Sequence, residues 1–252
     1  MNSYDPIATF YDIEHAHFVE DLDMYHNYAE LGGGSILELA CGSGRVLLPL
    51  AEDGYEVTGV DTSAQMLERA QQALAEAGVA QRVTLVQQDI SQLTLGKKFH
   101  LAFIALGSFA HITTRAKQQQ TLAAIRAHLN PGGTFLLDLS NSDIRYMENM
   151  GGQLIHQGTW KLEDGSMLTH FVSPAASTDR HLLELTHFYD CYTQGGPIQR
   201  TTTTTYHYLF ERSEIELLLE QAGFTIKEIL GDYDFSPFRL DSPRLICVAT
   251  TR

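Results

Sequence analysis

Short apolar runs rich in β-branched residues alternate with amphipathic helical patterns over the first half of the chain. The spacing predicts strands at residues 35–39, 56–60, 83–86, 101–105 and 134–139. Buried strands that alternate with helical crossovers are typical of a parallel sheet. With two further strands predicted at residues 224–230 and 244–250, the pattern indicates an α/β fold. We expect a Rossmann-like, seven-stranded, mostly parallel sheet with helices on both faces.

The helical segments carry their own start and stop signals. Thr62 and Gln65 have capping-box spacing ahead of a helix, and Ser213 and Glu216 repeat that spacing near the end of the chain. Residues 130–133, Asn-Pro-Gly-Gly, are expected to end a helix and turn the chain into the fifth strand.

Beyond residue 140 the pattern changes to successive antiparallel strands, predicted at residues 154–162, 167–172, 181–192 and 198–210. Five consecutive threonines at residues 201–205 suit a half-exposed strand because they are β-branched. We therefore expect an antiparallel β insertion at residues 150–211, between the fifth strand and the last helix, that forms an acceptor pocket or a dimer contact.

Length, composition and charge limit the kinds of protein that this chain can be. At 252 residues and 44% hydrophobic content, a single domain over residues 1–252 is expected. Its expected parts are an amino-terminal lid helix region at 1–30, a core at 31–140, the insertion, and the completion of the sheet at 212–252. A net charge of -14 without a basic cluster argues against nucleic acid as a partner. No apolar run reaches the roughly 18 residues of a membrane span, and three distant cysteines form no disulfide framework, so a cytoplasmic protein is expected.

A buried strand at residues 36–39 runs into a glycine turn that contains Gly42 and Gly44. Backbone without side chains lets a ligand approach the start of a helix. Asp61 ends the next strand, where an acid can accept both hydroxyls of a ribose. Leu47 stands where a dinucleotide fingerprint requires a third glycine, which argues against a nicotinamide cofactor. Glu38 places a carboxylate beside the turn, suited to a ligand that carries an ammonium group.

The amino-terminal segment also contains several histidines and acids. Only His17 and Asp21 have the i, i+4 spacing of two ligands on one helix face, so no metal site is predicted. A solvated helix face is the preferred interpretation.

These motifs together resemble those of class I S-adenosylmethionine-dependent methyltransferases, over nearly the whole chain. Residues 38–44 resemble the first motif, residues 60–67 the second, residues 88–90 the third-strand motif, and residues 129–133 the turn before the fifth strand. Residues 4–12 further resemble small-molecule methyltransferases that include amino-sugar N-methyltransferases. One departure is His100, where many relatives have Asp.

The resemblance implies S-adenosyl-L-methionine as cofactor, with S-adenosyl-L-homocysteine as product, and a methyl acceptor whose N or O atom is methylated. It implies ribose binding by Asp61, and adenine binding by Asp89 and Ile90. The full set of expected cofactor-binding residues is Tyr4, Tyr11, Glu38, Ala40, Cys41, Gly42, Gly44, Arg45, Asp61, Thr62, Met66, Asp89, Ile90 and Leu106.

Two groups are candidates for catalysis. His111, just past the fourth strand, is a candidate base because an imidazole titrates near neutral pH. Tyr11 would orient the acceptor, and with Tyr4 it would form an aromatic lid over the sulfonium.

Structural alternatives stay open: the aspartates as helix caps, the tyrosines as packing groups, His111 as a structural imidazole and Cys41 as an apolar filler. A non-catalytic S-adenosylmethionine-binding sensor or scaffold, a nicotinamide-dependent oxidoreductase and a homodimer also remain to be tested.

Overall fold

The computed structural model describes residues 4–141, 152–176, 179 and 181–251. Its chain divides into two compact units. The insertion unit comprises Met1–His17 and Ser142–Leu209, and the core unit comprises Phe18–Asn141 and Phe210–Arg252. The segment predicted at residues 1–30 is therefore divided between the units, with the change after His17.

In chain order, the described helices are α1 Ala8–His15, α2 Leu22–Gly32, α3 Leu47–Glu52, α4 Ala64–Glu76, α5 Arg115–Ala127 and α6 Arg212–Gln221. The described strands are β1 Ile36–Leu39, β2 Val57–Asp61, β3 Val83–Gln87, β4 Phe99–Ile104, β5 Leu129–Ser140, β6 Ile155–Lys161, β7 Met167–Ala176, β8 Leu182–Tyr192, β9 Gln199–Tyr208, β10 Phe224–Leu230 and β11 Arg244–Thr251.

The core unit is built on a seven-stranded sheet with strand order β10-β11-β5-β4-β1-β2-β3. The pairs among β1 to β5 are parallel, and β11 pairs antiparallel with both β5 and β10. The predicted seven-stranded, mostly parallel sheet is thus confirmed. Because the strand order reverses between β1 and β4, their carboxyl ends form the switch point at which α/β sheets bind ligands.

Burial explains why the central strands lack period-two alternation. All four residues of β1 are buried, and β4 is buried except at His100. Tyr25 of α2 stacks on Phe103 of β4 with ring centroids 4.4 Å apart. Strands covered on both faces read as continuous apolar runs, as the sequence pattern indicates.

The insertion unit contains a four-stranded antiparallel sheet, in the order β6-β7-β8-β9. Ile7, Leu168 and Tyr189 form its buried cluster, and Phe10 of α1 stacks on Tyr189 at 4.9 Å. The threonine run lies within β9, where Thr202 is exposed, Thr205 is buried and the other three are half-buried, which confirms the half-exposed strand.

Several local predictions were wrong. Ser63, and not Thr62, caps α4, because its hydroxyl accepts the Met66 N–H at 3.1 Å. The cap of α6 is Glu211 without a side-chain bond, so the spacing of Ser213 and Glu216 forms no capping box there. Residues 130–133 lie inside β5, since that strand already pairs with β4 at Leu129.

Candidate functional site

The turn after β1 lies at the switch point and is built from left-handed backbone. Ala40, Gly42 and Gly44 have φ values of 57°, 55° and 86°. A Cβ on Gly44 would meet the Ala70 Cβ at 3.2 Å, so α4 packs closely against this turn. A Cβ on Gly42 would meet nothing within 4 Å. The turn thus presents bare backbone to open space, where a ligand can approach closely.

The Asp61 carboxylate holds the two turns at this edge together. Its Oδ2 accepts the Gly42 N–H at 2.9 Å and its Oδ1 accepts the Ser63 N–H at 2.8 Å. A carboxylate has about four lone-pair sites and can accept several hydrogen bonds at once. Asp61 therefore supports the glycine turn, at the position where the sequence predicts a ribose-binding acid.

Glu38 is a buried carboxyl group in the middle of β1, with 3% of its surface exposed. Its Oε2 has no hydrogen-bond partner among the described residues. Burial raises the Glu38 pKa well above its usual range, with smaller contributions from Asp21 and Asp61, while Arg45 opposes the shift. Because an unsatisfied buried oxygen is costly, this atom is suited to a cationic donor such as an ammonium group.

The Arg45 side chain forms an ion pair with Asp21. Asp21 is fully buried and immediately precedes α2 in the sequence. The Arg45 Nη1 and Nη2 bind the Asp21 Oδ1 and Oδ2 at 2.7 and 2.5 Å. Nη1 also donates to the Phe18 carbonyl at 3.0 Å, and the guanidinium lies over the Phe18 ring. The predicted cofactor residue Arg45 thus uses its side chain to anchor the entry to α2.

The residues predicted for adenine binding follow β2 and β3. The Asp89 Oδ1 accepts the Ser91 N–H at 2.8 Å and so caps the short 3-10 turn Ile90–Gln92. Burial alone would raise the Asp89 pKa, but the bonds from Ser91 and the charge of Lys117 outweigh it and lower that pKa. Met66 is buried in the core at 3% exposure and offers little surface to a ligand, whereas Thr62 is exposed.

The end of β4 supplies the other side of the switch point. Leu106 has a φ of 51°, and its N–H donates to the Asp138 Oδ2 at 2.9 Å. His111 ends the 3-10 turn Ser108–His111 that follows and is half-buried. Because β1 and β4 are parallel neighbours, this segment lies at the same edge of the sheet as the glycine turn.

Comparisons with known proteins agree with this geometry. A model of the methyltransferase domain matches residues 36–133. The putative methyltransferase YqeM of Bacillus subtilis (strain 168) is 27% identical, over 96% of this chain and 94% of its own length. The dTDP-3-amino-3,6-dideoxy-alpha-D-glucopyranose N,N-dimethyltransferase of Streptomyces fradiae is 25% identical, over 89% of this chain and 86% of its own.

The chain contains a methyltransferase domain at residues 36–133, and its homologues and structural neighbours include S-adenosylmethionine-dependent methyltransferases. The fold agrees: a crystal structure of such an enzyme from Clostridium acetobutylicum ATCC 824 superposes with a TM-score of 0.82, covering 99% of both chains at 20% identity. The family's cofactor is S-adenosylmethionine, and the residues present fit it. The open glycine turn provides space, and the unsatisfied Glu38 oxygen matches the ammonium group of the cofactor.

Sequence reasoning missed a buried polar cluster in the core unit. Asp138 of β5 is fully buried and binds Arg244 of β11, whose Nε and Nη2 approach its Oδ1 at 2.9 and 2.5 Å. The Tyr233 hydroxyl donates to the other oxygen at 3.0 Å. Burial raises the Asp138 pKa, although Arg244 and the hydrogen bonds oppose the shift. The available signal was an acid inside the apolar run 135–139.

The two tyrosines predicted to cover the sulfonium lie in the insertion unit. Tyr4 and Tyr11 make an edge-to-face pair with centroids 5.9 Å apart, and Tyr11 stacks on His15 at 4.1 Å. Their role as a lid stays a prediction.

Within residues 4–141, 152–176, 179 and 181–251, no group of three potential metal ligands is present. Nor does this part contain a helix long and apolar enough to cross a membrane. Asp21, one of the two residues with ligand-like spacing, is committed to Arg45.

Proposed function

We propose that this chain is an enzyme that transfers a methyl group from S-adenosylmethionine to the N or O atom of a small molecule. The observation that carries the proposal is the unsatisfied, buried Glu38 oxygen beside the open glycine turn at the switch point. Glu38 would hold the ammonium group, Asp61 the ribose hydroxyls and Asp89 the adenine amino group. Ile90 and Leu106 would contribute backbone, as would the turn residues Ala40, Cys41, Gly42 and Gly44.

When bound, the cofactor supplies an electrophilic methyl group on a sulfonium, whose thioether leaves without needing a proton. The chain must therefore align the acceptor in line with the methyl group, which is worth several kcal/mol. It must also provide for the acceptor's proton. His111 is our candidate for contacting the acceptor, as a base or as a hydrogen-bonding group, and Tyr11 is the candidate for orienting it.

An amine is the acceptor class that we favour. The Streptomyces fradiae relative is named for N,N-dimethylation of a nucleotide-linked amino sugar. A net charge of -14 also favours a cationic acceptor over a polyanion, because long-range attraction enriches cations near an acidic protein. We further propose that the antiparallel insertion builds the acceptor pocket or a homodimer contact, since it is the large element added to the parallel core.

A non-catalytic sensor of S-adenosylmethionine is the second candidate, because binding residues do not prove turnover. A nicotinamide-dependent oxidoreductase is disfavoured by the family assignment. The test is to incubate the protein with methyl-labelled S-adenosylmethionine and a metabolite extract, and to identify labelled products by mass. Asp61→Ala is the matched control, expected to lose roughly 10- to 150-fold in cofactor affinity. Tight binding without any labelled product would support the sensor and contradict the enzyme.

A further inference from the structure

The chain leaves β4 through a turn in which two consecutive residues have left-handed backbone. Leu106 has a φ of 51° and Gly107 has a φ of 76°. A leucine adopts this conformation only at a cost in steric strain, and such strain persists where surrounding contacts hold the residue in place. We call residues 105–108 the β4 turn.

Asp138 of β5 accepts the N–H groups of both left-handed residues. Its Oδ2 accepts the Leu106 N–H at 2.9 Å, and its backbone carbonyl accepts the Gly107 N–H at 3.0 Å. The register between β4 and β5 ends with the pair Ile104 and Leu137. The two bonds therefore continue the contact between these strands beyond their ladder, and they fix the direction in which the chain leaves β4.

The carboxylate that accepts the Leu106 N–H is itself held by two other side chains. Arg244 binds the Asp138 Oδ1 through Nε and Nη2, and the Tyr233 hydroxyl donates to Oδ2 at 3.0 Å. Asp138 is also fully buried. A carboxylate with donors at both oxygens has little freedom to rotate, and hydrogen bonds to an ionised acceptor are strong. The Leu106 N–H thus meets an acceptor of fixed position.

The same cluster also extends toward the glycine turn within the core unit. The Tyr233 ring lies edge-on to Phe18, with centroids 6.1 Å apart, and the Arg244 guanidinium lies 5.5 Å over the Tyr233 ring. The Phe18 carbonyl accepts a hydrogen bond from Arg45, which directly follows Gly44. A chain of contacts therefore connects the turns that follow two neighbouring parallel strands, β4 and β1.

Stability alone does not account for this arrangement. A buried ion pair can often be replaced by apolar residues of similar volume without loss of stability, so joining β5 to β11 does not require charges. An apolar residue at position 138 would, however, leave the Leu106 N–H without its acceptor. The Asp138 side chain thus serves the β4 turn in a way that an apolar residue could not.

We propose that Asp138 is a positioning residue of the cofactor site, because it holds the β4 turn in the conformation that binds S-adenosylmethionine. This inference rests on the proposed function, in which Leu106 contributes backbone to the cofactor. Asp138 acts through the turn, and no contact with the cofactor is assigned to it. Tyr233 and Arg244 orient the carboxylate, so the end of the chain takes part in the cofactor site.

The decisive comparison is between two double variants that differ only at position 138. Asp138→Leu/Arg244→Leu removes the acceptor, whereas Asp138→Asn/Arg244→Leu keeps a side-chain oxygen that can accept the Leu106 N–H. Neither variant leaves a buried charge of this pair without its partner. Urea unfolding establishes that each variant is folded under the conditions of the binding measurement.

We expect the leucine double variant to bind S-adenosylmethionine about 2- to 30-fold more weakly in calorimetry than the asparagine double variant. Arg239→Leu, at an exposed ion pair in the same unit, is the control and should bind as the wild type does. Equal affinities of the two double variants would overturn the inference, because an ion pair that only stabilises the fold is dispensable for binding once the fold is stable without it.

Tyr233→Phe is a milder test that keeps both charges and removes only the hydroxyl at the Asp138 Oδ2. Tyr28→Phe is the matched control, because the Tyr28 hydroxyl also donates to a carboxylate, that of Glu228, at 2.6 Å. We expect Tyr233→Phe to weaken S-adenosylmethionine binding by about 2-fold or more, with Tyr28→Phe unchanged. If the double variants do not fold, unchanged binding by Tyr233→Phe overturns the inference.

Amide hydrogen exchange in the absence of cofactor reports on the β4 turn directly. The Leu106 N–H should exchange about 10-fold or more faster in the leucine double variant than in the asparagine double variant, while the amides of β1 exchange alike. Equal exchange of the Leu106 N–H would contradict the inference. Neither binding nor exchange needs an acceptor. If the wild type forms no labelled product, the proposed enzyme fails, and these two measurements still decide the role of Asp138.

Discussion

A buried carboxyl oxygen without a hydrogen-bond partner is costly. Among the described residues Glu38 has such an oxygen, and Glu38 lies beside the glycine turn. Glu38→Gln is expected to weaken S-adenosylmethionine binding by roughly 10- to 150-fold, because the removed contact is a hydrogen bond between charged groups. Calorimetry measures the change. Glu56→Gln, the same substitution at an exposed ion pair, is the matched control and should leave the affinity unaltered.

The raised Glu38 pKa gives this contact a pH signature. The carboxylate form is the one that attracts an ammonium group, and lowering the pH through the raised pKa removes it. As the pH is lowered, the wild-type affinity for S-adenosylmethionine should therefore begin to fall at a higher pH than it would with a glutamate of ordinary pKa. Binding of the cofactor should also release protons. Calorimetry in two buffers of different ionisation enthalpy counts those protons. Equal proton release by the wild type and Glu38→Gln would contradict the assignment.

His111 is tested by two substitutions that separate its two roles. His111→Ala should lower kcat by roughly 10²- to 10⁴-fold with little change in cofactor affinity, since it removes the group at the acceptor. His111→Gln keeps a hydrogen bond but cannot take a proton. If His111 is the base, the Gln variant is as slow as Ala and the wild-type kcat falls as the pH drops through the imidazole pKa. If His111 only holds the acceptor, the Gln variant retains most of the rate.

At the scale of elements, the Asp138–Arg244 pair joins β5 to β11 inside the core. Arg244→Leu should destabilise the fold by about 3 to 5 kcal/mol, because it leaves a buried charge unpaired. The double variant Asp138→Leu/Arg244→Leu should recover part of that loss, since it removes both charges. Urea unfolding measures both. Arg239→Leu breaks an exposed pair with Asp241 and should leave the unfolding midpoint unchanged. A similar loss of stability in Arg239→Leu would contradict the explanation by burial.

At the scale of the whole molecule, the question is what the insertion sheet contributes. Its aromatic residues lie on both faces, since Tyr189 packs with α1 and the cross-strand pair Phe171 and Phe188 lies on the other face. If the second face is a dimer contact, Phe188→Ser should yield monomers without changing the acceptor KM. Sedimentation at low and high salt is the measurement, because screening a net charge of -14 strengthens self-association.

Leu217→Ser is the control for that experiment, because Leu217 is 54% exposed on α6 in the core unit. If Phe188→Ser instead raises the acceptor KM and leaves the mass unchanged, the insertion serves the acceptor pocket. If neither quantity changes, both proposed roles of that face are withdrawn.

Much of the core unit could be predicted from sequence, because its signals are local. A strand buried on both faces reads as an apolar run, and positive φ at Gly42 and Gly44 marks a turn without reference to any distant residue. The same locality explains the errors at helix starts. Thr62 and Ser63 are both acceptable caps, and only the path of the chain leaving β2 places the Ser63 hydroxyl over Met66.

The sequence by itself determined the element order, the parallel sheet, the glycine turn, the acid at the end of β2 and the acid just after β3. Tertiary structure alone decided which distant charges meet. Asp21 pairs with Arg45, Asp138 with Arg244 and Glu14 with His170. The physical reason is that hydrophobic periodicity and turn chemistry depend on neighbours along the chain. The partner of a buried charge depends instead on where the completed fold leaves a desolvated group, and no local pattern records that position.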